Sequence, residues 1–100
     1  MTINYNLNVV TTTPYSVKDT DEVVCVNVPT TSSVVLPTIV AGKNTGYYIK
    51  DYSGNASANP IFITATGGAT INGVSFAILN VNYSHIQLVW DGVNWQTISN

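Results

Sequence analysis

The sequence predicts an all-β fold, a single small antiparallel β-sandwich or β-prism-like domain. Three observations lead there. Val, Ile and Thr, all β-branched, dominate the 100-residue chain, and no window shows the apolar spacing of an amphipathic helix. Short apolar runs alternate with polar residues, the period of a half-buried strand. Turn residues interrupt each run at the short intervals found in sandwiches and small barrels.

The opening stretch from Thr2 to Thr13 places Ile3, Tyr5 and Leu7 on one side and Asn4, Asn6 and Asn8 on the other. It reads as an edge strand or an arm that docks on a neighbour, so residues 1–13 are set apart from a β domain over 14–100. Pro14 breaks the run because it offers no ladder donor. Tyr15 and Val17 begin a short strand, and Lys18 to Asp21 form a charged turn. Val24, Val26 and Val28 then share one face, with Cys25 and Asn27 opposite. Val34 to Leu36 is a strand stopped by Pro37, and Thr38 to Gly46 is a loop. Tyr47 to Asp51 is the next strand, followed by a long turn to Asn59. Ile61 to Thr64 comes next. Thr70-Ile71 meets Asn72-Gly73, a type I′ hairpin signal because both central residues tolerate positive φ. Val74, Phe76 and Ile78 share a face of the following strand. Ile86, Leu88 and Trp90 alternate in the next, and a hairpin opening at Asp91-Gly92 leads to a last strand containing Trp95.

Composition narrows the function. Only 8% of residues are charged and the formal net charge is −2, against about a quarter charged in an average soluble domain. The three cations, Lys18, Lys43 and Lys50, are scattered. Nucleic-acid binding needs a cluster of phosphate-neutralising cations, so no nucleic-acid partner is expected. No apolar run approaches the ~20 residues of a membrane helix, so no membrane insertion is expected either. Cys25 is the only cysteine and His85 the only histidine. That excludes an internal disulfide and argues against a Cys–His metal centre, and no cofactor is expected. A domain this small buries a limited fraction of its surface alone, which leaves self-association as the route to further burial. The first residues carry neither a cationic segment nor an apolar run, so a secretory leader is not expected.

Several segments in fixed order carry a family resemblance. They are Val34-Val35-Leu36-Pro37, Gly46 to Ala56 (Gly-Tyr-Tyr-Ile-Lys-Asp-Tyr-Ser-Gly-Asn-Ala), Asn59 to Ile63, Gly68 to Gly73, Asn82-Tyr83-Ser84, and Asp91-Gly92-Val93-Asn94-Trp95. With them the stretch from Tyr15 to Ile98 resembles a β-rich surface module of phage tail fibres, tailspikes and other viral structural proteins. The resemblance implies a trimeric head or shaft-tip domain without enzymatic activity, and it transfers no binding residues. The expectation is a virion structural protein, made in the host cytoplasm and placed on the virion surface as a homotrimer. Its role would be that of a capsid decoration protein or a tail-fibre head module, with the major capsid or tail-fibre protein as partner. The alternative is a host-attachment module that recognises host-surface glycans.

Individual motifs add little chemistry. Asp51-Tyr52-Ser53-Gly54-Asn55 resembles the start of a calcium loop, but Phe62 stands where the bidentate acid belongs. An Asx-type turn with Gly54 at positive φ explains the same residues. Ser84 and His85 are neighbours on a strand and point to opposite faces, so they form no catalytic dyad. His85 is instead a candidate trimer-axis residue. The acids Asp19, Asp21, Glu22, Asp51 and Asp91 do not suggest a facing pair for glycoside cleavage. Cys25 lacks a nearby base and reads as a small buried or interfacial hydrophobe. Trp90, Asp91, Asn94 and Trp95 combine aromatic rings with oxygens and amides, as a sugar site requires. In phase with Ile86 and Leu88, Trp90 is expected in the core, with Trp95 covering one end of the sheet. Candidate glycan or interface contacts are Tyr47, Tyr48, Tyr52 and Trp95.

Overall fold

A computed structural model describes residues 6–39 and 46–99. The strands are β1 (Leu7–Val10), β2 (Tyr15–Ser16), β3 (Val23–Val26), β4 (Ser32–Leu36), β5 (Gly46–Asp51), β6 (Ile61–Ala65), β7 (Phe76–Leu79), β8 (His85–Trp90) and β9 (Trp95–Ser99). No helix occurs among the described residues. The strands form a five-stranded sheet in the order β1-β3-β5-β8-β9 and a four-stranded sheet in the order β2-β4-β6-β7.

The first six strands alternate between the two sheets, so the chain coils through both. Each strand therefore meets its neighbour in the same orientation. Leu7 lies beside Val23 and Val23 beside Tyr48 in the larger sheet, while Tyr15 lies beside Val34 and Val34 beside Ile63 in the smaller. A parallel pair needs a long crossover, and here the crossover is a strand of the opposite sheet rather than a helix. Only the last three strands reverse: β7 against β6, β8 against β5, and β9 against β8. This corrects the expectation of an antiparallel domain, since four of the seven strand pairings among the described residues are parallel. Period-two alternation marks which residues face inward but is the same for either orientation, so the pattern could not separate them.

The inward faces of both sheets merge into one apolar cluster. Val24, Val26, Ile49 and Leu88 come from the larger sheet, and Leu36 and Ile63 from the smaller. Burial alternates strictly along β4 and β5, as the sequence pattern requires. At β1 the phase is opposite to the one expected. Leu7 and Val9 face out and are exposed, whereas Asn8 and Val10 face in. Asn8 turns inward because it has polar partners there. Its Nδ2 donates to the Tyr15 hydroxyl at 2.7 Å and to Asp21 Oδ1 at 3.1 Å. Leu7–Val10 is an edge strand of the sheet. Ile3 and Tyr5, assigned with Leu7 to the apolar side, lie outside the described residues, as does the loop segment 40–45.

The Asn72-Gly73 hairpin has the expected geometry, with φ of 52° and 82° and a bridge between Ile71 and Val74. It also serves the sheet. The Trp95 N–H donates to the Thr70 carbonyl at 2.9 Å, the Asn72 N–H to the Trp95 carbonyl at 3.0 Å, and the Thr97 N–H to Asn72 Oδ1 at 3.0 Å. The hairpin thus pairs with the outer edge of β9 and protects it from strand addition.

Candidate functional site

Three regions bring together residues with a chemical or binding role. The first is an aromatic cluster at the β8–β9 hairpin end. Trp95 is 0% exposed and Tyr47 is 1% exposed. Their ring centroids are 5.8 Å apart, and Trp90 meets Trp95 edge-on at 5.4 Å. Trp90 is only partly buried. The expected roles of the two tryptophans are therefore exchanged. Trp90 and Trp95 are register partners and face the same way, but the 70–74 hairpin covers Trp95 while Trp90 sits at the rim. Tyr47 and Trp95 have no exposed ring to offer a sugar or a second subunit, which corrects their assignment as contacts. Burial pushes the Tyr47 phenol pKa up, with Asp19 and Asp21 adding to the shift. The Tyr47 hydroxyl and Trp95 Nε1 have no hydrogen-bond partner among the described residues.

Beside Trp90 the loops 37–38, 66–69 and 93–94 enclose an open depression of about 270 Å³. Asp91 belongs to the hairpin rather than to this space. Its Oδ1 accepts the Val93 and Asn94 N–H groups at 2.9 and 2.8 Å, and its Oδ2 accepts from Gln96 Nε2 at 2.9 Å. The Asn94 and Val93 amides, then Gln96, hold the Asp91 carboxyl below its ordinary range.

The second region is the outer face of the larger sheet. Leu7, Val23, Tyr48, Lys50 and His85 line a shallow hollow of about 410 Å³ there. The Tyr48 and His85 rings lie 6.4 Å apart, and His85 is exposed. Ser84 faces away and its Oγ donates to the Val81 carbonyl at 2.6 Å. Cys25 points to this face yet is buried between Val9 and Lys50 in the register. Burial raises its thiol pKa, against a smaller pull from the Lys50 charge. At the end of β5, Tyr52 is half exposed and Asp51 is turned inward. The Asp51 oxygens accept from the Gly54, Ala56 and Tyr83 N–H groups and from the Ser53 hydroxyl. Those donors occupy the carboxylate that the calcium-loop comparison singled out.

The third region was not recognised as a surface from sequence. In the smaller sheet Val34, Leu36, Ile61, Ile63 and Leu79 face in, so Ser33, Val35, Phe62, Thr64, Phe76 and Ile78 face out. The Phe62 and Phe76 rings are 5.9 Å apart. Phe76 and Ile78 are exposed, as is Val74 beside them. None of these side chains is charged. Val74, expected on the same face, lies outside β7 in the Asn72-Gly73 hairpin, where it bridges Ile71. Phe76 and Ile78 do share the face, as expected. Their spacing matches that of a core strand, and only the identity of the covering layer shows that the face is open.

No protein-family model matches the chain, and no curated protein matches it.

Proposed function

We propose that the protein is a non-enzymatic virion structural protein that forms a homotrimer on the particle surface, as a capsid decoration protein or a tail-fibre head module. The observation that carries this reading is the open apolar face on β6 and β7. Phe76 and Ile78 lie in water on an uncharged sheet face, with Phe62 beside Phe76. Burying one such side chain fully is worth about 1.5–3 kcal/mol. Clustered exposure of this kind marks an interaction surface in a folded protein. The face requires no charged groups to be desolvated, so identical copies can cover one another without an unpaired charge. A three-fold arrangement closes such contacts into a ring and covers this face in every copy.

Within each subunit three of the five acids are tied into structure. Asp51 and Asp91 hold turns, and Asp21 is bonded to Tyr15, Asn8 and the Lys18 amide. The sandwich- or prism-like packing expected from sequence belongs to the same reading, with the smaller sheet turned toward the three-fold axis and the larger sheet outward. That arrangement puts His85, on the outer face of the larger sheet, away from the axis and replaces its candidate axial role. Quantitative mass spectrometry of density-purified particles from cells producing the protein tests the role. The expected result is the protein at a fixed ratio to the major capsid or fibre protein. Its absence from intact particles would remove the virion role.

A further inference from the structure

The depression beside Trp90 has its own chemistry, separate from the apolar face on β6 and β7. Pro37, Thr38, Thr66, Gly67, Gly68 and Ala69 line one side, and Trp90, Val93 and Asn94 the other. No charged side chain is among them. The nearest acid, Asp91, spends both oxygens on its own hairpin. Among the described residues a charged ligand would find no counter-charge in the lining, which suits a neutral one.

Its polar groups are few and fixed. Thr66 Oγ1 donates to the Leu36 carbonyl at 3.2 Å. The 3.1 Å contact between Thr38 Oγ1 and Thr66 Oγ1 is then donated by Thr38. Thr38 keeps its lone pairs for an incoming donor. Asn94 Oδ1 accepts the Thr70 N–H at 2.9 Å, which fixes the amide orientation and leaves Nδ2 to donate. Trp90 is held edge-on by Trp95 at 5.4 Å, so its ring is positioned before any ligand arrives. The site therefore offers an aromatic platform, one acceptor and one amide donor, all pre-set by bonds to the scaffold.

We infer that this cleft binds one neutral pyranose ring, a single residue of a glycan whose remaining units extend into solvent. A sugar hydroxyl both donates and accepts, which matches Thr38 and Asn94 together, and the apolar face of the ring stacks on Trp90. At about 270 Å³ the volume falls just below the usual range for small-molecule pockets, about 300–1,000 Å³, which limits the ligand to one ring. The shallowness makes binding of one ring weak, in the millimolar range.

The test is a titration of the full chain with the methyl glycosides of glucose, galactose, N-acetylglucosamine and rhamnose, followed by amide chemical shifts. At least one sugar should give saturable shifts confined to residues 37–38, 66–69 and 90–94. Thr38→Val removes the acceptor and Asn94→Asp removes the donor while keeping the bond to Thr70. Each should weaken binding by about tenfold or more without altering the melting temperature. Trp90→Leu should abolish it. The proposal is overturned if none of the four sugars saturates, if the shifts fall elsewhere, or if the Thr38 and Asn94 variants bind as well as the parent. A trimer without sugar binding would refute this inference alone, and a sugar-binding monomer would refute only the oligomer reading.

Discussion

The buried carboxylate of Asp51 holds the backbone of Tyr83: Oδ2 accepts the Tyr83 N–H at 3.0 Å and, from the same oxygen, the Ala56 N–H at 3.0 Å. One side chain at the end of β5 thereby joins the turn after β5 to the turn before β8. The pairing of the two strands is extended by the Asp51 N–H donating to the Ser84 carbonyl at 2.9 Å. Burial alone would raise the Asp51 pKa. The Tyr83, Ala56 and Gly54 amides and the Ser53 hydroxyl outweigh it and bring the value below the ordinary one.

The sign of the resulting pH dependence follows. A carboxyl held lower in the folded chain than in the unfolded chain contributes stability at all pH values above the unfolded pKa, near 4. That contribution is lost as pH falls through the lower, folded value. Urea midpoints should therefore stay level from neutral pH to about pH 5 and decline below pH 4. Asp51→Asn should remove much of that decline. Asp51→Ala leaves three backbone donors without their acceptor, and should cost at least about 3 kcal/mol at neutral pH.

Gly54 depends on two separate constraints. Its φ is +81°, and a Cβ there would lie 2.1 Å from Tyr83 Cζ. Gly54→Ala should destabilise chiefly through the backbone, because the exposed Tyr83 ring can turn away from the added methyl at small cost. In a Tyr83→Ala background the clash is gone and only the backbone cost remains, about 1–2 kcal/mol. Denaturation of the four proteins of this cycle should show a coupling energy that is small beside the backbone cost; a large coupling would mean that the ring is held in place.

Tyr15 gives the alkaline counterpart. Its hydroxyl donates to Asp21 Oδ2 at 2.7 Å. Burial, then that bond and the Asp21 charge, raise its pKa to about 12, against a smaller opposite pull from Asn8. An acid whose folded pKa is raised contributes stability that is complete below the unfolded pKa, near 10, and is lost as pH rises through the folded value. Thermal unfolding followed from pH 9 to 12 should show this loss. Tyr15→Phe should be less stable at neutral pH and should lose less on going alkaline.

Most strand positions were legible because alternation and turn chemistry are local. Val24 and Val26, Ile61 and Ile63, and the Asn72-Gly73 turn stand where their patterns put them. Two things were not legible. One is partnership: a strand such as β3 shows the same inward valines whether its neighbours run parallel or reversed. The other is cover. Phe76 and Ile78 repeat like core residues, but no layer among the described residues buries them. Trp95 lies one turn beyond Trp90 and is the more buried of the two only because the distant 70–74 hairpin closes over it. For the proposed cleft, Trp90 and Asn94 stood in the sequence among four residues with the make-up of a sugar platform, although Trp90 was expected in the core. Thr38 and Thr66 were not among them, because the strands that bring them together are far apart in sequence.

The central claim is that the face carrying Phe62, Phe76 and Ile78 is covered by identical copies. Light-scattering mass of the purified protein across a wide concentration range measures this directly. The expected mass is three times the 10.7 kDa subunit, falling to one subunit in the double variant Phe76→Lys, Ile78→Lys with the fold retained, since both side chains lie in water in the lone chain. A folded parent protein that stays at 10.7 kDa at every concentration would contradict it.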